Sequence, residues 1–205
     1  MHKTSPANFG VLAAMAPAGF DLLCCHLDYL ADADRAAQLS KPIEGYEFGP
    51  ARSDEEEQVA RLTQDNYALM DRFNIDPLVP RDRVRSVYYE WGRNAFHGYS
   101  DLVWVARHEG NVVGISFWSD RAHLETLTSV KCALNQLGAV DRRHAGRGIF
   151  RRIQSTVLAH YRQRGVRWAT MATNALNHPT QRSFQSIGAV IFDSTFTFRK
   201  DLQRP

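Results

Sequence analysis

The stretch "DRRHAGRGIFRRI", residues 141–153, decides how this chain is read. It holds five arginines, two glycines and an alanine, and it joins an apolar run ending at Val140 to a segment with helical periodicity. A strand, a glycine loop and a helix in that order aim several free backbone N–H groups at one point. The helix dipole adds partial positive charge there. Gly146 and Gly148 let the backbone approach an anion closely, and Arg143 and Arg147 add charge-assisted hydrogen bonds. The expectation is a phosphate cradle. It lacks the Lys-Ser/Thr pair of a P-loop and the third glycine of a dinucleotide fingerprint. A solvated basic helix start is the plain structural reading of the same residues. A nucleic-acid patch would call for more lysine and for aromatic rings among the arginines.

Outward from the loop, the pattern alternates between helix and strand. "FDLLCCHLDYL" (20–30) reads as a strand, followed by a short helix with Asp32 as its cap, and "KPIEGYEFGPA" (41–51) holds another short strand. "SDEEEQVARLTQDNYALMDRF" (53–73) reads as one helix, with Ser53 and three glutamates at its start and Val59, Leu62, Tyr67, Leu69 and Met70 on its apolar side. A second helix runs over 81–98 and stops at Gly98. Then come a hairpin turning at 109–111, an apolar run over 130–140, a helix over 148–164, a strand over 167–173, and a helix from Pro179 to Gly188. A strand or hairpin pair closes the chain. This order implies a mixed α/β sheet. Residues 1–20 are small, polar and punctuated by Pro and Gly, and are expected to pack loosely.

Composition narrows the function. With 205 residues, 44% hydrophobic and 23% charged, the chain fits one globular domain. A net charge of +3 does not by itself imply a nucleic-acid partner. Three cysteines without a CxxC spacing indicate neither a disulfide framework nor a zinc site, and no metal is expected. Cys24 and Cys25 read as small residues of a half-buried strand, and a cytoplasmic location fits. Pro17 and Gly19 interrupt "VLAAMAPAGF", so a signal peptide is not expected. No apolar run reaches the ~20 residues of a membrane span.

The spacing Arg143-x-x-Gly146-x-Gly148 resembles the Gln/Arg-x-x-Gly-x-Gly/Ala pyrophosphate loop of the GNAT superfamily of acetyl-CoA-dependent N-acetyltransferases. Downstream, Asn177-x-x-Thr180-x-x-x-Phe184…Gly188 is similar to that family's Asn-x-x-Ala-x-x-x-Tyr…Gly. A narrower resemblance covers residues 55–200. Arg72-Phe73, Asp76-Pro77, Pro80, Tyr88 or Tyr89, Trp91, Asn94-Ala95, Gly98, Asp101 and the ending "QSIGAVIFDSTFTFR" look like the bacterial dTDP-fucosamine acetyltransferase group, which acetylates a nucleotide-linked amino sugar. The resemblance implies a GNAT domain over 51–205, with a mostly antiparallel sheet splayed at the cofactor site and helices on both faces. Residues 1–50 would then be a shortened N-terminal lobe or extension.

The resemblance also implies roles. Acetyl-CoA is the cofactor, a small-molecule amine the acceptor, and the amine attacks the thioester directly. A backbone N–H among Leu137, Gly138 and Ala139 would polarise the thioester carbonyl. Ala139, Val140 and the loop residues Arg143, His144, Ala145, Gly146, Arg147, Gly148 and Ile149 would hold the cofactor. Asn177 would bind the pantetheine arm, and Arg182 would either reach the cofactor or sit on the surface. Phe184 stands where relatives often place a tyrosine acid, and phenylalanine has no proton to give. Three readings stay open: the thiolate leaves without a dedicated acid, another residue substitutes, or binding persists without catalysis. Glu90, His97, Asp120, His123 and Glu125 are candidate bases. Phe73, Asp76, Tyr88, Trp91 and Asn94 would line the acceptor wall, although helix core and local capping explain them as well. Another amine (an antibiotic, a free amine or a peptide) is the alternative acceptor. Neither nucleic acid nor membrane is an expected partner, and edge strands leave a homodimer open.

Overall fold

A computed structural model describes residues 1–39, 41–66 and 71–202. Among the described residues, eight strands form one open sheet in the order β1-β8-β2-β7-β6-β5-β4-β3. They are β1 (His2–Thr4), β2 (Phe20–Asp32), β3 (Tyr46–Pro50), β4 (Leu102–His108), β5 (Asn111–Asp120), β6 (Cys132–Val140), β7 (Trp168–Asn174) and β8 (Val190–Lys200). All neighbours pair antiparallel except β6 and β7, which are parallel. The helices are α1 (Phe9–Met15), α2 (Ala33–Gln38), α3 (Glu56–Asn66), α4 (Arg72–Ile75), α5 (Arg81–Asn94), α6 (Ala122–Thr128), α7 (Ile149–Gln163) and α8 (His178–Ser186). Among the described residues, no helix is long and apolar enough to cross a membrane.

The sheet carries a core on each face. On one, Ile149, Ile153, Val157 and Leu158 of α7 pack with Tyr29, Trp104 and Phe184. On the other, Val59 and Leu62 of α3 and Val84 and Tyr88 of α5 pack with Ile115, Phe117 and Leu137. Burial at positions 84, 88 and 92 shows why α5 lies where it does: one residue per turn faces inward. Gly92 permits the close crossing with α3, since a Cβ there would lie 2.7 Å from the Ala60 backbone.

The structure refines these expectations. Within residues 1–20, β1 joins the sheet edge against β8 and α1 follows with Asn8 as its cap, while Met15 is the one buried side chain described there, in keeping with loose packing. Residues 1–50 supply three of the eight strands, and β2 lies inside the sheet between β7 and β8. The helix expected over 53–73 is a 3-10 turn, α3 ending at Asn66, and a separate α4 that starts after its own cap, Asp71. Tyr67, Leu69 and Met70 lie outside the described residues. Arg52, not Ser53, opens the first turn, with its N–H donating to Glu55 Oε2 at 2.6 Å. The closing segment is one strand, β8, paired along β2.

Candidate functional site

β6 and β7 pair only over Cys132–Leu134 and Trp168–Thr170, then diverge. Two features fix β6 on the β5 side of that gap. First, pairing jumps from Trp118–Asn135 to Phe117–Leu137, so Gln136 is an extra residue that kinks β6. Second, buried Asn135 donates through Nδ2 to Ser116 Oγ at 2.9 Å and to the Phe117 and Leu137 carbonyls. Trp118 Nε1 and Gln154 Nε2 also donate to Ser116 Oγ, tying the kink to α7.

Beyond the kink, backbone groups alternate between the two sides of the strand. Asp141 N–H donates to Val113 O, so Ala139 and Leu137 also direct their N–H groups to β5. Gly138 and Val140 direct theirs into the gap that β7 has left. Of Leu137, Gly138 and Ala139, Gly138 is the one whose N–H faces the gap. Leu137 gives its side chain to the core and its N–H to the ladder. Gly138 also keeps space for α7: a Cβ there would come within 2.6 Å of Phe150 Cε2.

The loop after β6 meets the expectation of free N–H groups with a shift in position. The N–H groups of His144 and Ala145 are bonded to the Asp141 and Arg142 carbonyls, and that of Arg143 to Asp141 Oδ1. No protein acceptor among the described residues takes those of Gly146, Arg147, Gly148, Ile149, Phe150 and Arg151. The free run therefore starts two residues later than His144 and extends into the first turn of α7. Gly146 and Gly148 both have φ of 77°, which strains any other residue. Gly148 is the α7 cap and has no side chain to satisfy the helix end.

These groups face a cleft of about 810 Å³, within the usual size of a small-molecule site. Arg142, Arg147, Arg151 and Arg182 line it, and among the described residues no carboxylate does. Arg143 is turned away. Its guanidinium pairs with Asp141 at 2.6 Å on the opposite side of the loop, and it holds that carboxyl below the ordinary range. Arg142 and Arg151, which spacing did not single out, take its place in the cleft. Asn177 caps α8, accepting from Thr180 N–H, and borders both this cleft and a smaller cavity within.

That inner cavity, about 70 Å³, lies at the gap and takes lining residues from both faces of the sheet. Gly138, Phe150 and Phe184 line it on the α7 side; His26 and Asp71 line it on the α4 side. Phe184 is fully buried against the rings of Tyr29 and Phe150, at 5.2 and 5.8 Å between centroids. Asp71 is buried, and its Oδ2 accepts from Phe73 N–H and the Tyr88 hydroxyl. Burial pushes the His26 imidazole below its ordinary pKa, with Lys3 and Arg72 acting in the same direction. Neither His26 nor Asp71 was found from sequence. The first lies on a remote strand, and the second was hidden inside a helix read as continuous.

The expected acceptor wall is partly core. Tyr88 is buried, with Trp91 parallel to it at 6.1 Å and Phe73 edge-on at 6.4 Å. Asp76 is buried, ion-paired to Arg199 at 2.8 Å, and accepts from Leu78 N–H, so its charge is neutralised within the fold. Asn94 is exposed at the end of α5, its carbonyl accepting from Tyr99 N–H. None of Glu90, His97, Asp120 and Glu125 borders the inner cavity; the last three pair with Glu56, Arg164 and Lys131. The His123 side chain lies outside the described residues.

No family model matches the chain. Over 69 residues it is 32% identical to the spore coat polysaccharide biosynthesis protein SpsD of Bacillus subtilis, a match covering 34% of this chain and 24% of that one. Its fold is that of GCN5-related N-acetyltransferases. One from Sphaerobacter thermophilus superposes with a TM-score of 0.66 at 16% identity, over 97% of this chain and 58% of that chain. A GNAT-family acetyltransferase from Colwellia psychrerythraea superposes with a TM-score of 0.62 at 13% identity, over 96% of this chain and 64% of that one. The chain thus spans less than two thirds of the length of each.

Proposed function

We propose that this protein is an N-acetyltransferase that moves an acetyl group from acetyl-CoA to the amine of a small molecule. The observation that carries this reading is the run of free N–H groups from Gly146 to Arg151 at the mouth of the gap between β6 and β7. The residues fit coenzyme A. Its paired phosphates suit a helix end flanked by four arginines, and its narrow arm suits the open edge of β6. A Cβ at Gly146 would meet nothing within 4 Å, so the cradle is open where a phosphate would lie. When bound, acetyl-CoA supplies a thioester carbonyl open to attack by an amine. In this reading Gly138 N–H, which faces the gap, stabilises negative charge developing on that carbonyl oxygen, a contribution of about 3 kcal/mol for such a group. Asn177 is positioned to donate to the arm through Nδ2.

The acceptor we propose is a nucleotide-linked deoxy-amino sugar. The partial likeness to a polysaccharide biosynthesis protein supports it, as do the half-buried rings of Phe73 and Trp91 on the α4 and α5 side. Three free thiols fit a cytoplasmic setting. The test is calorimetric titration with acetyl-CoA, then thiol release across dTDP- and UDP-linked amino sugars. Binding with release on one sugar is expected. Release only with an antibiotic, a free amine or a peptide would keep the chemistry and replace the acceptor. Binding without release on any amine would favour an acyl-CoA-binding protein, the reading that Phe184 supports. Absence of binding would remove both.

A further inference from the structure

The inner cavity takes lining groups from both faces of the sheet, and the groups on its two sides differ in kind. On the α7 side stand the rings of Phe150 and Phe184 with Asn177 and Thr180 at the start of α8, none of which is a base at neutral pH. On the α4 side stand His26 and Asp71. The cofactor cleft opens on the α7 side, so an acceptor meeting the thioester in the gap arrives from the α4 side. We infer that His26, which shares the cavity wall with the Asp71 carboxylate and lies in its field, is the base that takes the proton from the attacking amine. This rests on the acetyltransferase reading above.

The placement is built by three elements. β2 pairs His26 with Asn174 of β7 and Thr195 of β8, which fixes the backbone beside the gap. Its Nδ1 faces Cys24 Sγ at 3.6 Å, and no protein group among the described residues takes Nε2. Asp71 is held at the start of α4 by Phe73 N–H and the Tyr88 hydroxyl, both on Oδ2. The charged groups that act on the imidazole come from β1 (Lys3), from β2 (Asp28) and from α4 (Asp71 and Arg72). The two cations and burial favour the neutral ring, and the two carboxylates oppose them. A neutral imidazole at neutral pH is the form a base requires.

The step balances without an acid at position 184. The amine nitrogen forms a bond to the carbonyl carbon, and the carbon–sulfur bond breaks with its electron pair staying on sulfur. The nitrogen proton passes to His26 Nε2, and coenzyme A leaves as the thiolate. The imidazolium then returns its proton to solvent. The absence of a hydroxyl on Phe184 is accounted for, because a thiolate leaves unaided.

The test uses the full chain and three variants: His26→Gln, His26→Ala and Asp71→Asn. Acetyl-CoA affinity by calorimetry is expected to stay within about twofold in His26→Gln, while kcat/KM falls about 10²-fold on the amino sugar that releases thiol. The wild-type rate should rise with pH through the His26 ionisation, and this limb should vanish in His26→Gln. NMR of the histidine ring supplies a readout free of turnover. Asp71→Asn should move the His26 titration to lower pH, since the carboxylate that favours imidazolium is gone. Unchanged rate and pH profile in both His26 variants, with acetyl-CoA still bound, would overturn the role of His26. An unmoved titration in Asp71→Asn would overturn that of Asp71. If wild-type protein fails to bind acetyl-CoA, the acetyltransferase reading falls first and this inference with it.

Discussion

The phenolic oxygen of Tyr46 lies 2.9 Å from Nδ1 of His144, so the outer edge strand reaches across to the arginine-rich loop. Arg147 donates to the same oxygen at 3.2 Å, which leaves the hydroxyl proton for the histidine. Tyr46 is itself stacked on His108 at 4.6 Å, and His108 donates to Gly45 O. The loop is thereby held before any ligand arrives, and ordering it costs little on binding. Tyr46→Phe removes both bonds and keeps the ring. At about 1 kcal/mol net, acetyl-CoA should bind roughly fivefold more weakly with the melting temperature nearly unchanged. Equal affinity by calorimetry would show that the loop does not need this brace.

Gly146→Glu tests the cradle directly. It places a side chain at φ of 77°, adds bulk where nothing lies within 4 Å, and sets a carboxylate among free N–H groups. The variant should fold, since the new group points into open space, and should lose acetyl-CoA binding beyond detection. A folded variant with unchanged affinity would place the phosphates elsewhere.

The sequence showed this part of the site because its logic is local. Strand, glycine turn and helix follow one another within about twenty residues, and free N–H groups come from backbone geometry rather than from distant partners. Side-chain direction was less legible. Arg143 sits where spacing puts a phosphate ligand, yet Asp141, two residues earlier, captures its guanidinium. The acid at that spacing was the available signal. The proton-handling side could not be read at all, because His26 and Gly138 share a cavity only through the insertion of β2 between β7 and β8. Asp71 was readable in principle. An aspartate before a short apolar turn is a helix cap, but the acidic start at 53–57 and the apolar spacing beyond it fit a single longer helix equally well.

Phe184→Tyr asks whether the missing acid limits the rate. Phe184 is 1% exposed and packs edge-on against Tyr29, whose own hydroxyl has no partner among the described residues. A second buried hydroxyl without a partner costs about 1–3 kcal/mol. With the thiolate leaving unaided, kcat should stay within about twofold while the melting temperature drops. A tenfold rise in kcat would show that protonation of the leaving group was the slow step.

The pair Glu55–Arg107 ties the first turn before α3 to β4, and its removal separates stability from function. Arg107 donates to both carboxylate oxygens, at 2.5 and 2.8 Å, and the two side chains are 7% and 5% exposed. Burial raises the Glu55 carboxyl, but the bonds from Arg107 and from Arg52 N–H outweigh it, so its pKa in the folded protein lies below the ordinary value. The stability this group contributes is therefore present above the ordinary glutamate pKa and is lost as the pH falls through the lowered one. Glu55→Ala leaves a guanidinium buried without its partner and should cost about 3–5 kcal/mol at neutral pH. Urea unfolding should show that loss at pH 7 and a smaller difference from wild type at about pH 3, where the wild-type carboxyl is itself gaining protons. A difference that stays constant across this range would mean that Glu55 acts through packing and not through charge. Acetyl-CoA affinity of the folded variant should match wild type, because neither residue borders the cleft or the inner cavity.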